Sequence, residues 1–231
     1  MGRSRSNALR KKSDDEGEDF ILPWDIGPGL DDQLREKGIF YLVGGISDNS
    51  CLSLHHALLL YTQEKPPRNG ISIVINSTGG SLSTAWALID LMTLMKPWMT
   101  IKTIAIGEAS SAASLILAAG SKGHRYIGQN CSITLHDAML LLPDGAHRAA
   151  DIMAISKDLE LEHERLMRFW GESTGTTDPK EIQEIFLSQV DSPVNAAKAI
   201  ELGLADHVMS CIAEPLNPTK KRTTKEKPKN D

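Results

Sequence analysis

Short apolar runs alternate along the chain with segments whose apolar residues have helical spacing. The runs at 39–43, 71–76 and 100–106 are rich in β-branched residues and predict three buried strands. Between them, the spacing predicts a helix beginning near Asp48 and another over about 83–95. This alternation predicts an α/β fold of repeated βαβ units whose sheet is covered by helices on both faces.

The pattern changes after His136. The spacing predicts a long amphipathic helix from about Ala149 to Trp170, a helix beginning near Pro179, and a short helix over Asn195–Leu202. Gly203 is a typical residue to end the last of these helices. The second half of the chain therefore adds mainly helices to the βαβ units.

The length of 231 residues suits a single domain with a sizeable core. We expect a flexible leader over residues 1–19, a folded domain over 20–213 and a disordered basic tail over 214–231. The tail is rich in lysine but contains no aromatic residue to stack on a base. Nucleic acid is therefore not an expected partner.

Several classes of protein are excluded by composition. No window has the roughly 18 apolar residues of a membrane span, and no apolar segment follows the basic N-terminus as a secretory signal would require. The three cysteines have neither the spacing of a zinc site nor that of a disulfide framework. We therefore expect a cytoplasmic protein that needs no metal and no cofactor.

Candidate chemistry begins where the third strand ends. The segment GEASSA at 107–112 joins this strand to a small-residue helix, and would leave a serine hydroxyl at the helix N-terminus. An isolated His136 follows a later strand, and Asp191 lies in a loop, so the parts of a serine, histidine and aspartate triad are present. Each part also has an ordinary structural explanation, namely helix packing, a surface histidine and a helix cap. The segment 77–80 is predicted to form a turn after the second strand, and its glycines at 79–80 fit either a backbone donor to substrate or a phosphate-binding turn.

The joint pattern is more specific than its parts, and it resembles the ClpP family, the proteolytic subunit of ATP-dependent Clp proteases. The resemblance covers about Ile39–Val208. INSTGG at 75–80 is similar to the family's INSPGG, and GEASSAAS at 107–114 to its nucleophile motif. SITLHD at 132–137 is similar to the family's histidine strand, and the run at 191–206 to its closing helix and strand.

The resemblance implies a role for each candidate residue. It implies Ser111 as the nucleophile rather than a neighbouring serine, His136 as the general base and Asp191 as the acid that orients the imidazole. It also implies that the main-chain amides of Gly80 and Ala112 form the oxyanion hole. The separation of 25 residues between the serine and the histidine is typical of the family.

The family further implies an architecture and partners. Its members have a crotonase-like α/β fold with a protruding helix-and-strand handle, here about Ala138 to Gly171. They form homo-oligomers of two stacked seven-membered rings, a tetradecamer, and degrade unfolded polypeptides inside the chamber. An AAA+ unfoldase supplies the substrate and consumes the ATP, so the proteolytic chain itself needs no cofactor.

The chain departs from the family at several positions. Thr78 replaces the proline of the glycine motif, and Asp137-Ala138 replaces Gln-Pro after the histidine. Val190 stands where the family has an arginine that pairs between rings, and residues 1–29 contain no recognisable axial-loop sequence. An activity switch built on that arginine, and coupling to a standard unfoldase, are therefore not carried over by the resemblance.

Three other functions fit parts of the pattern. A non-catalytic Clp-like subunit of a mixed ring would not react with a fluorophosphonate at Ser111. A crotonase-type enzyme would turn over acyl-CoA without peptidase activity, but it would give Ser111 and His136 no joint role. A specialised processing protease, for instance one that acts on viral capsid precursors, would share the active site and differ only in its substrate.

Overall fold

A computed structural model describes residues 29–64, 70–139 and 148–209 of the chain. The predicted leader and the predicted basic tail lie outside the described residues, as do residues 140–147 of the predicted handle.

The core of the fold is a parallel five-stranded sheet in the order β1-β2-β3-β4-β7, and a small antiparallel pair, β5 with β6, lies beside it. The strands are β1 (Ile39–Ile46), β2 (Ile71–Gly80), β3 (Ile101–Ala109), β4 (Arg125–Gly128), β5 (Ile133–Leu135), β6 (Ser192–Val194) and β7 (His207–Met209). The helices are α1 (Gly29–Glu36), α2 (Asp48–Glu64), α3 (Leu82–Met95), α4 (Ala112–Ala118), α5 (Ala149–Thr174), α6 (Pro179–Phe186) and α7 (Ala196–Glu201). The predicted α/β class, the three strands and the main helices are confirmed.

Helices pack on the sheet through residues that are fully buried. Ile73 and Ile75 of β2, Leu88 of α3, and Ile116 and Leu117 of α4 are each 0% exposed. Burial of such a side chain stabilises the fold by about 1.5–3 kcal/mol. Residues 71–75 of β2 and 101–105 of β3 are all buried, which is why these stretches show no alternation of apolar and polar residues.

The helix boundaries follow from local capping. The Asp178 and Asn195 side chains accept hydrogen bonds from the main-chain N–H groups of Lys180 and Lys198 at the starts of α6 and α7. Gly175, with φ of 88°, ends α5 four residues later than the sequence predicts. Among the elements that hydrophobic periodicity did not reveal, α1 and β4 have only eight and four residues.

The prediction that the glycines at 79–80 form a turn after a strand is wrong. β2 continues through both glycines, which pair with Gly45 and Ile46 of β1. The ladder reaches this far because the register shifts between Val43 and Gly45, and because Gly79 and Gly80 adopt positive φ values of 94° and 144°.

Helix α5 is the helical part of the predicted handle. Its buried residues, Leu166 and Trp170, lie in its C-terminal half. Its N-terminal half exposes Ile152, Met153 and Leu161. None of the described helices combines the length and the apolar character that crossing a membrane requires.

Candidate active site

Ser111 occupies a strained junction between β3 and α4. Its φ of 52° makes it the one non-glycine residue with positive φ in the described part of the chain. Such a conformation costs about 1–3 kcal/mol and persists only where neighbouring contacts impose it. Here its main-chain N–H donates to the Thr134 carbonyl at 2.8 Å, and the Ser114 hydroxyl donates to its carbonyl at 2.6 Å.

The two neighbouring serines are engaged in structural hydrogen bonds. The Ser110 hydroxyl is buried and accepts a hydrogen bond from the Thr134 main-chain N–H at 2.9 Å. The Ser114 hydroxyl is bonded to the Ser111 carbonyl. Ser111 is partly exposed, makes no capping bond with its side chain, and faces a cavity. Among these serines, Ser111 is therefore the one whose hydroxyl is placed to meet a substrate.

The glycine segment of β2 lies directly against Ser111. A Cβ atom added to Gly79 would come within 2.6 Å of both the Ser110 carbonyl oxygen and the Ser111 Cβ. A Cβ atom on Gly80 would come within 2.3 Å of the Ile46 carbonyl oxygen. Only glycine allows this approach, which brings the main chain of Gly80 to the same cavity as that of Ala112.

His136 follows β5 and is half-buried in the wall of the same cavity. Its Nδ1 lies 2.6 Å from the main-chain carbonyl oxygen of Asp137. A carbonyl only accepts hydrogen bonds, so Nδ1 carries the proton in this arrangement. In the neutral imidazole this leaves Nε2 unprotonated, which is the state required of a general base.

Asp191 is exposed and does not line the cavity. Leu135 of β5 pairs with Ser192 of β6, but the Asp137 main-chain N–H then donates to the Ser188 carbonyl. The register between the two segments thus shifts by two residues after Leu135, and residues 189–191 are not part of the antiparallel pair. The structure brings Ser111, His136 and the two proposed oxyanion residues to one cavity but does not include Asp191 there, so its role stays a prediction.

The cavity has a volume of about 760 Å³ and lies between β2, α4 and the handle helix. Its floor is apolar and includes the buried Leu115, Leu166, Trp170 and Phe186. Trp170 and Phe186 stack with their ring centroids 4.9 Å apart. A floor of this kind accommodates an apolar group of a ligand.

Sequence reasoning did not reveal the acidic wall of this cavity. Asp137, Asp158 and Glu162 line it, the last two from one face of α5. Their i and i+4 spacing on a helix was the available signal. Among the described residues, no group of three His, Cys, Asp or Glu side chains could hold a metal ion.

A partly exposed serine and a histidine that line one cavity beside glycine main chain suit nucleophilic acyl transfer, the chemistry of hydrolases. The family model described as Clp protease matches residues 30–211. Proteins named ATP-dependent Clp protease proteolytic subunit, from three strains of Dehalococcoides mccartyi, are 33% identical over 177 residues. Each alignment covers 76% of this chain and 83% of the relative.

The chain belongs to the Clp protease family, and the fold is the one expected for that family. The resemblance found in the sequence motifs is thereby confirmed, and the protein is a Clp-type protease.

Proposed function

We propose that the chain is a serine endopeptidase that hydrolyses unfolded polypeptides. The observation that carries this proposal is that one cavity is lined both by Ser111, in its strained conformation, and by His136, whose Nδ1 is hydrogen-bonded to a main-chain carbonyl. Membership of a protease family gives the site its reaction class.

The proposed reaction has two stages. Ser111 Oγ attacks the scissile carbonyl while its proton moves to His136 Nε2, and the main-chain amides of Gly80 and Ala112 stabilise the oxyanion. The tetrahedral intermediate collapses to an acyl-enzyme, and His136 gives the proton to the leaving amine. A water molecule then attacks the acyl-enzyme by the same route and regenerates the serine.

In this proposal Asp191 orients His136 and offsets the charge of the imidazolium. That role requires residues 189–191 to approach Nδ1, which donates to the Asp137 carbonyl in the structure. Asp191 immediately precedes β6, and β6 pairs with β5, the strand that His136 follows.

We further propose that copies of the chain assemble into two stacked seven-membered rings. The handle helix supports this proposal because it exposes Ile152, Met153, Leu159 and Leu161, a set of apolar residues suited to contact with another copy. The relatives are named as subunits of an ATP-dependent protease, which supports an AAA+ unfoldase as the partner that consumes ATP. We propose that the chain itself needs no cofactor and acts in the cytoplasm.

The test compares the wild type with Ser111→Ala, using Ser132→Ala as a control at an exposed serine outside the cavity. We expect the wild type and the control to cleave an unfolded protein and to be labelled by a fluorophosphonate. Ser111→Ala loses both activities because no nucleophile remains, while the particle mass measured by ultracentrifugation is unchanged. Full turnover by Ser111→Ala would refute the assignment, and an unreactive wild-type particle would instead indicate a non-catalytic subunit.

A further inference from the structure

Asp137 connects three parts of the candidate site. Its main-chain carbonyl accepts the His136 Nδ1 proton at 2.6 Å, and its main-chain N–H donates to the Ser188 carbonyl at 2.9 Å. Its side-chain Oδ1 accepts a hydrogen bond from the Ala138 main-chain N–H at 2.8 Å. The same Oδ1 lies 3.6 Å from Nδ1 of His163 on the handle helix.

Two of these contacts involve a single peptide unit. The Asp137 carbonyl and the Ala138 N–H belong to the same planar group, so they turn together and point in opposite directions. When Oδ1 holds the N–H end, the orientation of the carbonyl end is fixed as well. The Asp137 carboxylate thus determines where the acceptor for His136 Nδ1 points.

The contact with His163 determines where the carboxylate itself lies. The Asp137 and His163 side chains are 31% and 35% exposed, so both are partly shielded from water. At 3.6 Å the pair is an ionic contact rather than a hydrogen bond when His163 is protonated. His163 lies three residues before Leu166, which is 3% exposed, so the helix that carries this partner is anchored in the core.

We infer that Asp137 and His163 are positioning residues for His136, because together they fix the peptide group whose carbonyl holds the imidazole. This inference rests on the proposed function, in which His136 is the general base. Neither residue exchanges a proton with the substrate. Their contribution is to keep the proton on Nδ1 and Nε2 free, so that the imidazole is ready to accept the serine proton.

The consequence is a loss of kcat with little change in KM. Without the carboxylate the peptide group is free to rotate, and a misplacement of about 1 Å at a catalytic group costs on the order of 100-fold in rate. Asp137→Ala removes both side-chain contacts, and we expect a fall in kcat of about 10- to 100-fold on this basis. Asp137→Asn keeps an acceptor for the Ala138 N–H and loses only the ionic contact, so we expect a smaller fall.

The experiment measures kcat and KM on a fluorogenic peptide for assembled particles of each variant. The kcat of His163→Gln should match that of Asp137→Asn, because each change removes the same contact between the two side chains. For the same reason, the double variant Asp137→Asn/His163→Gln should be no slower than either single variant. His163→Lys restores a cation and should recover kcat to near the wild-type value. Glu160→Gln is the control, since it removes an exposed charge from the same helix without touching the cavity. Thermal unfolding confirms that each variant is folded.

A kcat for Asp137→Ala and Asp137→Asn equal to that of Glu160→Gln would overturn the inference while leaving the protease assignment intact. A change confined to KM would also overturn it, because it would place Asp137 in substrate binding. A wild-type particle whose residual turnover matches Ser111→Ala would instead overturn the proposed function and the inference together. The comparison with Ser111→Ala therefore separates the two failures.

Discussion

Gly79→Ala tests whether the glycine segment of β2 holds Ser111 in its strained conformation. The added Cβ would meet the Ser110 carbonyl oxygen and the Ser111 Cβ at 2.6 Å, and the Ala112 nitrogen at 3.0 Å. Two of these neighbours are main-chain atoms of the turn itself, so no flexible side chain can move aside. The new methyl group must therefore displace the residue proposed as the nucleophile.

The magnitude has two parts. A φ of 94° at an alanine costs about 1–2 kcal/mol, because Cβ then crowds the main chain. Forcing a methyl group into filled space adds about 1–3 kcal/mol. Together they predict a loss of unfolding free energy of about 2–5 kcal/mol. Displacing Ser111 by about 1 Å should also lower kcat/KM by on the order of 100-fold.

Gly175→Ala provides a matched control. Gly175 has a φ of 88°, close to that of Gly79, but a Cβ added there would meet no atom within 4 Å. This variant should lose only the main-chain contribution of about 1–2 kcal/mol and keep its activity.

The assay compares both variants with the wild type at one fixed protein concentration, since assembly shifts apparent stability. Chemical denaturation gives the unfolding free energy, and the rate of fluorophosphonate labelling reports the position of Ser111. If Gly79→Ala is labelled at the wild-type rate and is no less stable than Gly175→Ala, the contact between the two segments does not hold the serine, and the reasoning fails.

Two further predictions concern titratable groups, the partly buried Asp206 and the buried Cys131. Burial tends to raise the pKa of Asp206, but hydrogen bonds from Arg125, at 2.6 Å to Oδ1, prevail and hold that pKa below its usual value. The Asp206 carboxylate therefore contributes its full stabilisation above the unfolded pKa of about 3.9, and this contribution is lost as the pH falls below that value. Asp206→Asn should lower the unfolding free energy by about 3 kcal/mol at pH 7, and its stability in denaturation curves should depend less steeply on pH in acid. An acid dependence equal to that of the wild type would contradict this prediction. Burial, with a smaller contribution from Glu108, raises the pKa of the Cys131 thiol to about 11. Iodoacetamide at pH 8 should therefore modify this cysteine only after the chain unfolds, as measured by mass spectrometry. Fast modification of Cys131 in the folded chain would refute this prediction.

The parts of the fold that could be predicted from sequence are those whose cause is local. The runs that became β2 and β3 show no alternation because consecutive residues in them are buried, and that signal needs no knowledge of partners. Asp178 and Asn195 cap the N-termini of α6 and α7, and such capping residues are visible in the sequence as residue types.

The parts that could not be predicted depend on contacts between distant segments. The glycines at 79–80 stay in the ladder because β1 extends beside them, which no property of the glycine motif indicates. Asp137 follows His136 in the chain, but its contact with His163 exists only because α5 packs over the site. Likewise, a shift of two residues in the pairing after β5 leaves Asp191 outside the ladder, and such shifts depend on both strands.

The Asp137 carbonyl and the proposed acceptor Asp191 differ in what they supply to His136. The Asp137 carbonyl is neutral, so it fixes the tautomer of the ring but does little to offset the positive charge that forms when Nε2 takes a proton. A carboxylate at the same nitrogen would do both. If Asp191 replaces this carbonyl during catalysis, the gain is therefore in stabilising the imidazolium, not in selecting the tautomer. In that case the Asp137 carbonyl would keep the base in the correct tautomer before the acid approaches.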